Sequence, residues 1–150
     1  MLGKIYRGGV HRTTPETVEV NYTGPVSVIL PGAAAVMDAT DGISGVVAPG
    51  AFWYIIGEEL HGGVNDNLVG SGSSLRLYTP RSGDLYAVRA GAGVTIEDDL
   101  PLTINTAGQF VEAQTGDPIH AYMDYPPNSS LRVDLTGPTV ADQLIPIKIK

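Results

Sequence analysis

Short apolar runs separated by turn-forming residues follow one another between residues 81 and 135. Three of them are LYAV (85–88), PLTI (101–104) and IHAYM (119–123). Several runs alternate polar and apolar residues, as a strand does when one face is buried and the other is solvated. Gly, Pro, Asn and Asp lie between the runs, and these residues accept or preset the φ angles of tight turns. The pattern predicts a compact antiparallel β module.

The same signals predict further strands upstream of this module. Four runs are rich in β-branched or aromatic residues: VEVNY (18–22), VSVIL (26–30), FWYII (52–56) and LRLY (75–78). The most apolar of them is FWYII, which contains the only tryptophan of the chain. Because aromatic side chains concentrate both in cores and at subunit contacts, Phe52, Trp53 and Tyr54 are candidates for either environment.

The C-terminal run LIPIKIK (144–150) alternates isoleucine with other residues, as a half-buried strand does. Pro146 has no N–H to donate, so the run is predicted to lie at the edge of a sheet. A charged edge prevents unwanted pairing, and an edge can equally pair with a neighbouring subunit. Ile145 and Ile147 are therefore candidates for a subunit interface. Residues 33–37 form either a short helix or another strand, because their alanines favour a helix but their short length does not.

Composition fits one globular β domain. The chain has 150 residues, which is enough for a domain with a substantial core. Charged residues make up only 17% and hydrophobic residues 43%, and the 19 glycines and 11 prolines indicate many turns rather than a disordered chain. The absence of cysteine excludes disulfides and cysteine-based zinc sites.

Charge narrows the classes of partner. The net charge is −7 and the sequence pI is about 4.7. Surfaces that bind nucleic acid neutralise phosphates with lysine and arginine clusters, so we expect no nucleic-acid partner. No apolar stretch is long enough to span a bilayer, and the N-terminus has no apolar signal region. We therefore expect no membrane partner and synthesis in the cytoplasm.

Residues 1–24 are locally basic in this acidic protein. Their basic residues are Lys4, Arg7, His11 and Arg12. They show little regular apolar pattern before the predicted strand at 18–22. Two interpretations are open: a frayed terminus, or an extended arm that becomes ordered when it contacts a partner.

The sequence predicts no catalytic, cofactor-binding or metal site. His11, His61 and His120 are far apart and have no second ligand at a spacing such as H-x-H or H-E-x-x-H. The acidic D-x-x-D-G at 38–42 lacks the spaced pattern of a calcium loop, and turn capping explains it. G-x-S-x-G, the dinucleotide fingerprint and the P-loop are all absent.

The turn motifs occur in an order that resembles a known family. The series is RSGD-x-Y-A (81–87), a Gly-containing turn, an acidic step into a Leu-containing run, G-x-F (108–110), G-D-x-I-x-A (116–121) and S-S-x-R-V (129–133). It is similar to the β module of tailed-phage head decoration proteins, also called capsid cement proteins. The likeness extends upstream into VILPG (28–32) and GGVNDNLVGSG (62–72). Residues 1–24 and the tail after Thr136 lie outside it.

The resemblance implies a β-sandwich or barrel (β-tulip-like) decoration domain at 25–150 with little helix, preceded by an N-terminal arm at 1–24. It implies a homotrimer at threefold or quasi-threefold sites on the outer surface of the expanded virion capsid. The partner is then the major capsid protein, and the non-enzymatic role is to stabilise the head against internal DNA pressure. The arm is expected to contact the capsid through Lys4, Arg7, His11 and Arg12. Candidates for subunit contacts are Phe52, Trp53, Tyr54, Ile145 and Ile147.

Two other classes of function stay open. One is a trimeric tail or fibre module that binds carbohydrate, for which Trp53 and Tyr122 on an exposed face would be evidence. The other is a small cupin-like metalloenzyme, in which His61 and His120 would converge with acidic residues in a pocket. Glycan binding distinguishes the first alternative, and a bound transition metal distinguishes the second.

Overall fold

A computed structural model describes residues 5–9, 16–21, 30–37, 43–44, 52–59, 74–125, 135 and 137–150. All regular structure in these residues is β, which confirms the mainly β prediction. The strands are β1 (Tyr6–Gly8), β2 (Glu16–Asn21), β3 (Ala34–Met37), β4 (Ile43–Ser44), β5 (Tyr54–Glu59), β6 (Ser74–Thr79), β7 (Leu85–Ala90), β8 (Pro101–Ile104), β9 (Phe110–Glu112), β10 (Ala121–Met123) and β11 (Gln143–Ile149).

Two sheets contain these strands. The larger sheet has the order β1-β7-β11-β10-β8-β9, and the smaller has the order β2-β6-β5-β3-β4. Neighbouring strands are antiparallel, except that β9 also pairs with β7 in parallel through Phe110 and Ala90. This pair joins β9, the last strand in the sheet order, to β7.

Turn chemistry decides how β6 leads into β7. The backbone N–H of Arg81 donates to Asp84 Oδ2 at 3.1 Å, and the Asp84 N–H donates to the Arg81 carbonyl at 3.0 Å. Gly83 has a φ of +87°, which L side chains rarely adopt. The predicted role of the RSGD motif as a turn entering a strand is therefore confirmed.

The two sheets approach each other closely at Gly108. The Ala34 N–H donates to the Gly108 carbonyl at 2.8 Å. A Cβ at Gly108 would lie 2.4 Å from the Ala34 carbonyl oxygen, and its φ is +77°. Only glycine satisfies both conditions, so the T-A-G motif serves both the turn and the contact between the sheets.

One hydrophobic core receives side chains from both sheets. Ile55 and Tyr78 of the smaller sheet pack with buried residues of the larger sheet such as Tyr86 and Phe110. The rings of Tyr6, Tyr78 and Tyr86 lie within 6.2 Å of one another, centroid to centroid. Burial of these large apolar surfaces is the main favourable contribution to folding.

The predicted edge position of the C-terminal strand is wrong, because β11 lies between β7 and β10. Ile149 donates its N–H to the Asp84 carbonyl, so the alternation of the ladder makes Pro146 and Ala87 a pair without hydrogen bonds. On the other side, the Pro146 carbonyl accepts a bond from the Asp124 N–H at 3.0 Å. The missing donor of Pro146 therefore affects only a position just beyond the end of β10.

Two stretches of the predicted arm belong to the sheets. β1 pairs with β7, and β2 pairs with β6 along six consecutive residues. The arm prediction is therefore corrected for residues 6–8 and 16–21, whose backbone hydrogen bonds hold them in the fold. Residues 1–4, 10–15 and 22–24 lie outside the described part of the chain. The alternative left open at 33–37 is decided in favour of a strand, since β3 pairs with both β4 and β5.

Candidate ligand-binding cleft

An open cleft of about 710 Å³ lies where the two sheets come together at one end. Four segments line it: Glu16 and Val18 of β2, residues 52–54 at the start of β5, residues 79–81 after β6, and residues 118–120 before β10. We call this site the aromatic cleft. It joins segments that are far apart in sequence, so only the packing of the sheets creates it.

Aromatic side chains occupy one side of the aromatic cleft. Phe52 is 90% exposed, and Trp53 is partly buried. The Trp53 ring meets Phe110 edge to face at a centroid distance of 5.9 Å and His120 at 5.6 Å. The contact with the buried Phe110 fixes the indole against the core. Phe52, in contrast, is not packed against the core and presents its ring to solvent.

An ion pair forms the polar rim of the aromatic cleft. Arg81 Nε donates to Glu16 Oε2 at 2.9 Å, and the Nη2 atom of Arg81 contacts the same oxygen. The two side chains remain 61% and 46% exposed. An exposed pair of this kind contributes little to stability because water screens it. It does place a guanidinium and a carboxylate together at the opening, with donor and acceptor capacity available to solutes.

His120 contributes a polar ring. Burial lowers the pKa of the His120 imidazole, and the nearby Lys150 lowers it further. Both effects favour the neutral form of the ring. Its Nδ1 atom is buried and has no hydrogen-bond partner among the described residues. His120 lies just before β10, and its ring packs edge to face against Trp53.

A second arginine–carboxylate pair lies in the interior, away from the aromatic cleft. Arg7 Nη2 of β1 lies 3.2 Å from Asp124 Oδ2, and the two side chains are 0% and 2% exposed. Burial lowers the pKa of Arg7, while the charge of Asp124 and its hydrogen bond act in the opposite direction. The Arg7 side chain is enclosed, so its predicted role as an exposed capsid contact is corrected. Lys4, His11 and Arg12 lie outside the described residues.

The structure separates the predicted subunit-contact residues into two groups. Phe52, Trp53 and Tyr54 all line the aromatic cleft. The other two, Ile145 and Ile147, are 0% exposed within the chain's own core and are not available to a neighbouring subunit. This corrects their prediction, and the cause is the inner position of β11. Tyr122, in β10, is not among the residues that line the cleft.

Sequence reasoning did not find the polar half of the cleft. Glu16 and Arg81 are 65 positions apart and approach each other only because β2 pairs with β6. Arg81 was visible as part of a turn motif, but no signal connected it to Glu16. Pairing registers of this range are not encoded in local periodicity.

The described residues offer no cluster of three or more His, Asp or Glu side chains able to hold a metal ion. His61 lies outside them, so the cupin-like alternative stays a prediction. Within the same ranges, no helix has the length and apolarity needed to cross a membrane. No protein-family model matches the chain, and the curated proteins contain no significant match to it.

Proposed function

We propose that this chain is a structural protein of a tailed-phage head that decorates the outside of the expanded capsid. The observation that carries the proposal is the use of the ordered motif series. Each described motif contains a turn that leads into a strand of the larger sheet or connects two of its strands. A resemblance based on turn chemistry gains support when its described motifs form turns.

Successive glycines of the series illustrate this use. Gly83, Gly93, Gly108 and Gly116 all have φ values between +77° and +95°. The turn at Gly116 is also capped, because the Gln114 N–H donates to Asp117 Oδ2 at 2.9 Å. Because other residues rarely adopt these positive φ values, there is a physical reason for glycine at each of these positions. The motif S-S-x-R-V at 129–133 lies outside the described residues.

The mechanism of head stabilisation is mass action. A protein that binds the assembled, expanded shell but not its separated subunits stabilises the shell by an amount set by its affinity and free concentration. Many copies add many such contributions across one capsid. This role requires a compact module and contact surfaces, and it requires no catalytic group.

Two surfaces are proposed for these contacts. The exposed Phe52 is a candidate for the subunit contact of a homotrimer, since an apolar ring gains free energy when a partner removes it from water. The basic residues Lys4 and Arg12 are candidates for contact with acidic groups of the major capsid protein. Charges of this kind mainly accelerate encounter and orient the partners.

Co-sedimentation with expanded capsids that lack the protein tests the proposal. Saturation near one copy per capsid subunit is the expected result, and absence from the pelleted shells would overturn it. Deleting residues 1–15 is a poor test of the arm, because it also removes β1. The better variant is Lys4→Gln combined with Arg12→Gln, which we expect to slow shell binding. Lys148→Gln, an exposed substitution on β11, is the matched control.

A further inference from the structure

We infer that the aromatic cleft is a binding site for a neutral saccharide. The inference rests on the chemistry of the cleft and not on the turn motifs. It requires the Phe52 side of the cleft to stay open, so a homotrimer contact through Phe52 would exclude it. Sugars present apolar C–H faces and hydroxyl edges together. The cleft presents aromatic rings and paired polar groups together, and it combines residues that no single segment of the chain contains.

The size of the cleft fits a small ligand. Its volume of about 710 Å³ lies within the range of about 300–1,000 Å³ that is usual for small-molecule sites. Its rings differ in burial: Trp53 packs against Phe110, whereas Phe52 is exposed beside it. A ring fixed in place loses little conformational entropy on binding, which favours affinity.

The charge balance of the cleft favours an uncharged ligand. Arg81 and Glu16 neutralise each other at the rim. Burial and the neighbouring Lys150 lower the pKa of His120, which disfavours its charged form. A phosphate or carboxylate ligand would find a cation that is already paired, and a cationic ligand would find a carboxylate that is already paired.

The polar groups offer the hydrogen bonds that hydroxyls require. The Arg81 guanidinium carries five N–H donors, of which those on Nε and Nη2 contact Glu16, and a carboxylate can accept several hydrogen bonds. Both groups are more than a third exposed, so a solute reaches them without unfolding. Hydrogen bonds to charged groups are stronger than bonds between neutral groups. A hydroxyl that bridges the two groups therefore gains from both.

The fluorescence of Trp53 gives a direct test. It is the only tryptophan of the chain, so any change in emission reports this cleft. The full chain is titrated with maltotriose, lactose, chitobiose and mannotriose, with inorganic phosphate and a proline-rich peptide as other solutes. A saturable change with at least one saccharide, and none with phosphate, is the expected result.

Two variants and a matched control assign the site. Arg81→Ala and Glu16→Gln are exposed substitutions that should leave the fold intact and weaken saccharide binding at least about tenfold, since each removes a charged hydrogen-bonding group. Glu112→Gln, an exposed substitution on β9, should bind as the natural chain does.

Three outcomes overturn the inference. The first is no saccharide response up to about 10 mM, a concentration that covers weak binding. The others are a response that survives both variants and saturation by the proline-rich peptide instead of a saccharide. The result is separable from the capsid test. Saccharide binding without capsid binding would replace the decoration proposal by the tail or fibre module, and capsid binding without saccharide binding would leave the decoration proposal intact.

Discussion

Two arginine–carboxylate pairs with the same chemistry lie in opposite environments in this protein. Arg7 and Asp124 are enclosed in the interior, whereas Arg81 and Glu16 stand at the opening of the aromatic cleft. The enclosed pair connects the N-terminal strand β1 to the residue after β10. The exposed pair connects the edge strand β2 to the turn after β6. Both pairs join distant parts of the chain, but their contributions differ.

The difference follows from solvation. Removing two charges from water costs several kcal/mol per ion, and their attraction offsets that cost only while both partners remain. The enclosed pair is therefore a structural requirement once the chain has folded around it. Water screens the exposed pair, so it contributes little to stability while both groups stay accessible to a solute. The interior pair joins β1 to the residue after β10, and the rim pair offers a place for recognition.

The largest expected effect comes from breaking the enclosed pair. Arg7→Met leaves Asp124 buried without its cation, and we expect the free energy of unfolding to fall by about 3–5 kcal/mol. Urea denaturation of the natural chain and the variant measures this loss of unfolding free energy. The double variant Arg7→Met with Asp124→Leu should recover much of the loss, because no charge then stays buried. An unchanged midpoint in the single variant would mean that the pair is open to water.

The second-largest expected effect distinguishes a buried aliphatic side chain from an exposed aromatic one. Ile147→Ala removes a fully buried side chain, and we expect a loss of about 2–5 kcal/mol in unfolding free energy. Phe52→Ser should leave the stability of the single chain within about 0.5 kcal/mol, since Phe52 is already in water. Sedimentation of the Phe52 variant then reports whether this ring joins subunits. Equal losses for the two variants would contradict the separation.

The third expected effect, on the free energy of unfolding, is small. Arg81→Ala removes the rim pair, and exposed pairs contribute about 0–1 kcal/mol. We expect nearly unchanged urea denaturation together with lost saccharide binding. Raising the salt concentration should have little effect on stability in either protein. A loss as large as that of the Arg7 variant would show that the rim pair is structural, and the comparison between the two pairs would fail.

The smallest effect concerns pH. The folded pKa of His120 lies below the unfolded value of about 6.5. Below that pH the unfolded chain binds a proton that the folded chain does not, so stability is lost as pH falls from about 6.5 towards the folded pKa. Above about pH 6.5 this contribution is constant.

His120→Gln lacks this titration and serves to measure it. The difference in unfolding free energy between the natural chain and the variant should shift in favour of the variant as pH falls from 7.5 to 5. Carboxylates titrate in both proteins and largely cancel in the comparison. A difference that stays constant across this range would show that the folded pKa of His120 is not lowered.

Local patterns predicted much of the fold and little of the site. Alternation and turn residues indicated the strands of the larger sheet, and the RSGD turn formed as expected. The predicted edge position of the C-terminal strand is wrong, because Pro146 does not prevent this strand from lying between two others. The ladder places its missing N–H beyond the end of β10, where only one bond is lost. That outcome depends on register, which sequence periodicity does not specify.

The sequence alone determined the β class and the positions of most turns, because short-range sterics and alternation act within a few residues. The tertiary structure decided which residues are enclosed and which face water. Arg7 became interior because β1 pairs with β7, and Ile145 and Ile147 became core because β11 is inserted between two strands. Glu16 met Arg81 because β2 pairs with β6. Each of these is a long-range pairing, whose free energy comes from burial that no local segment achieves by itself.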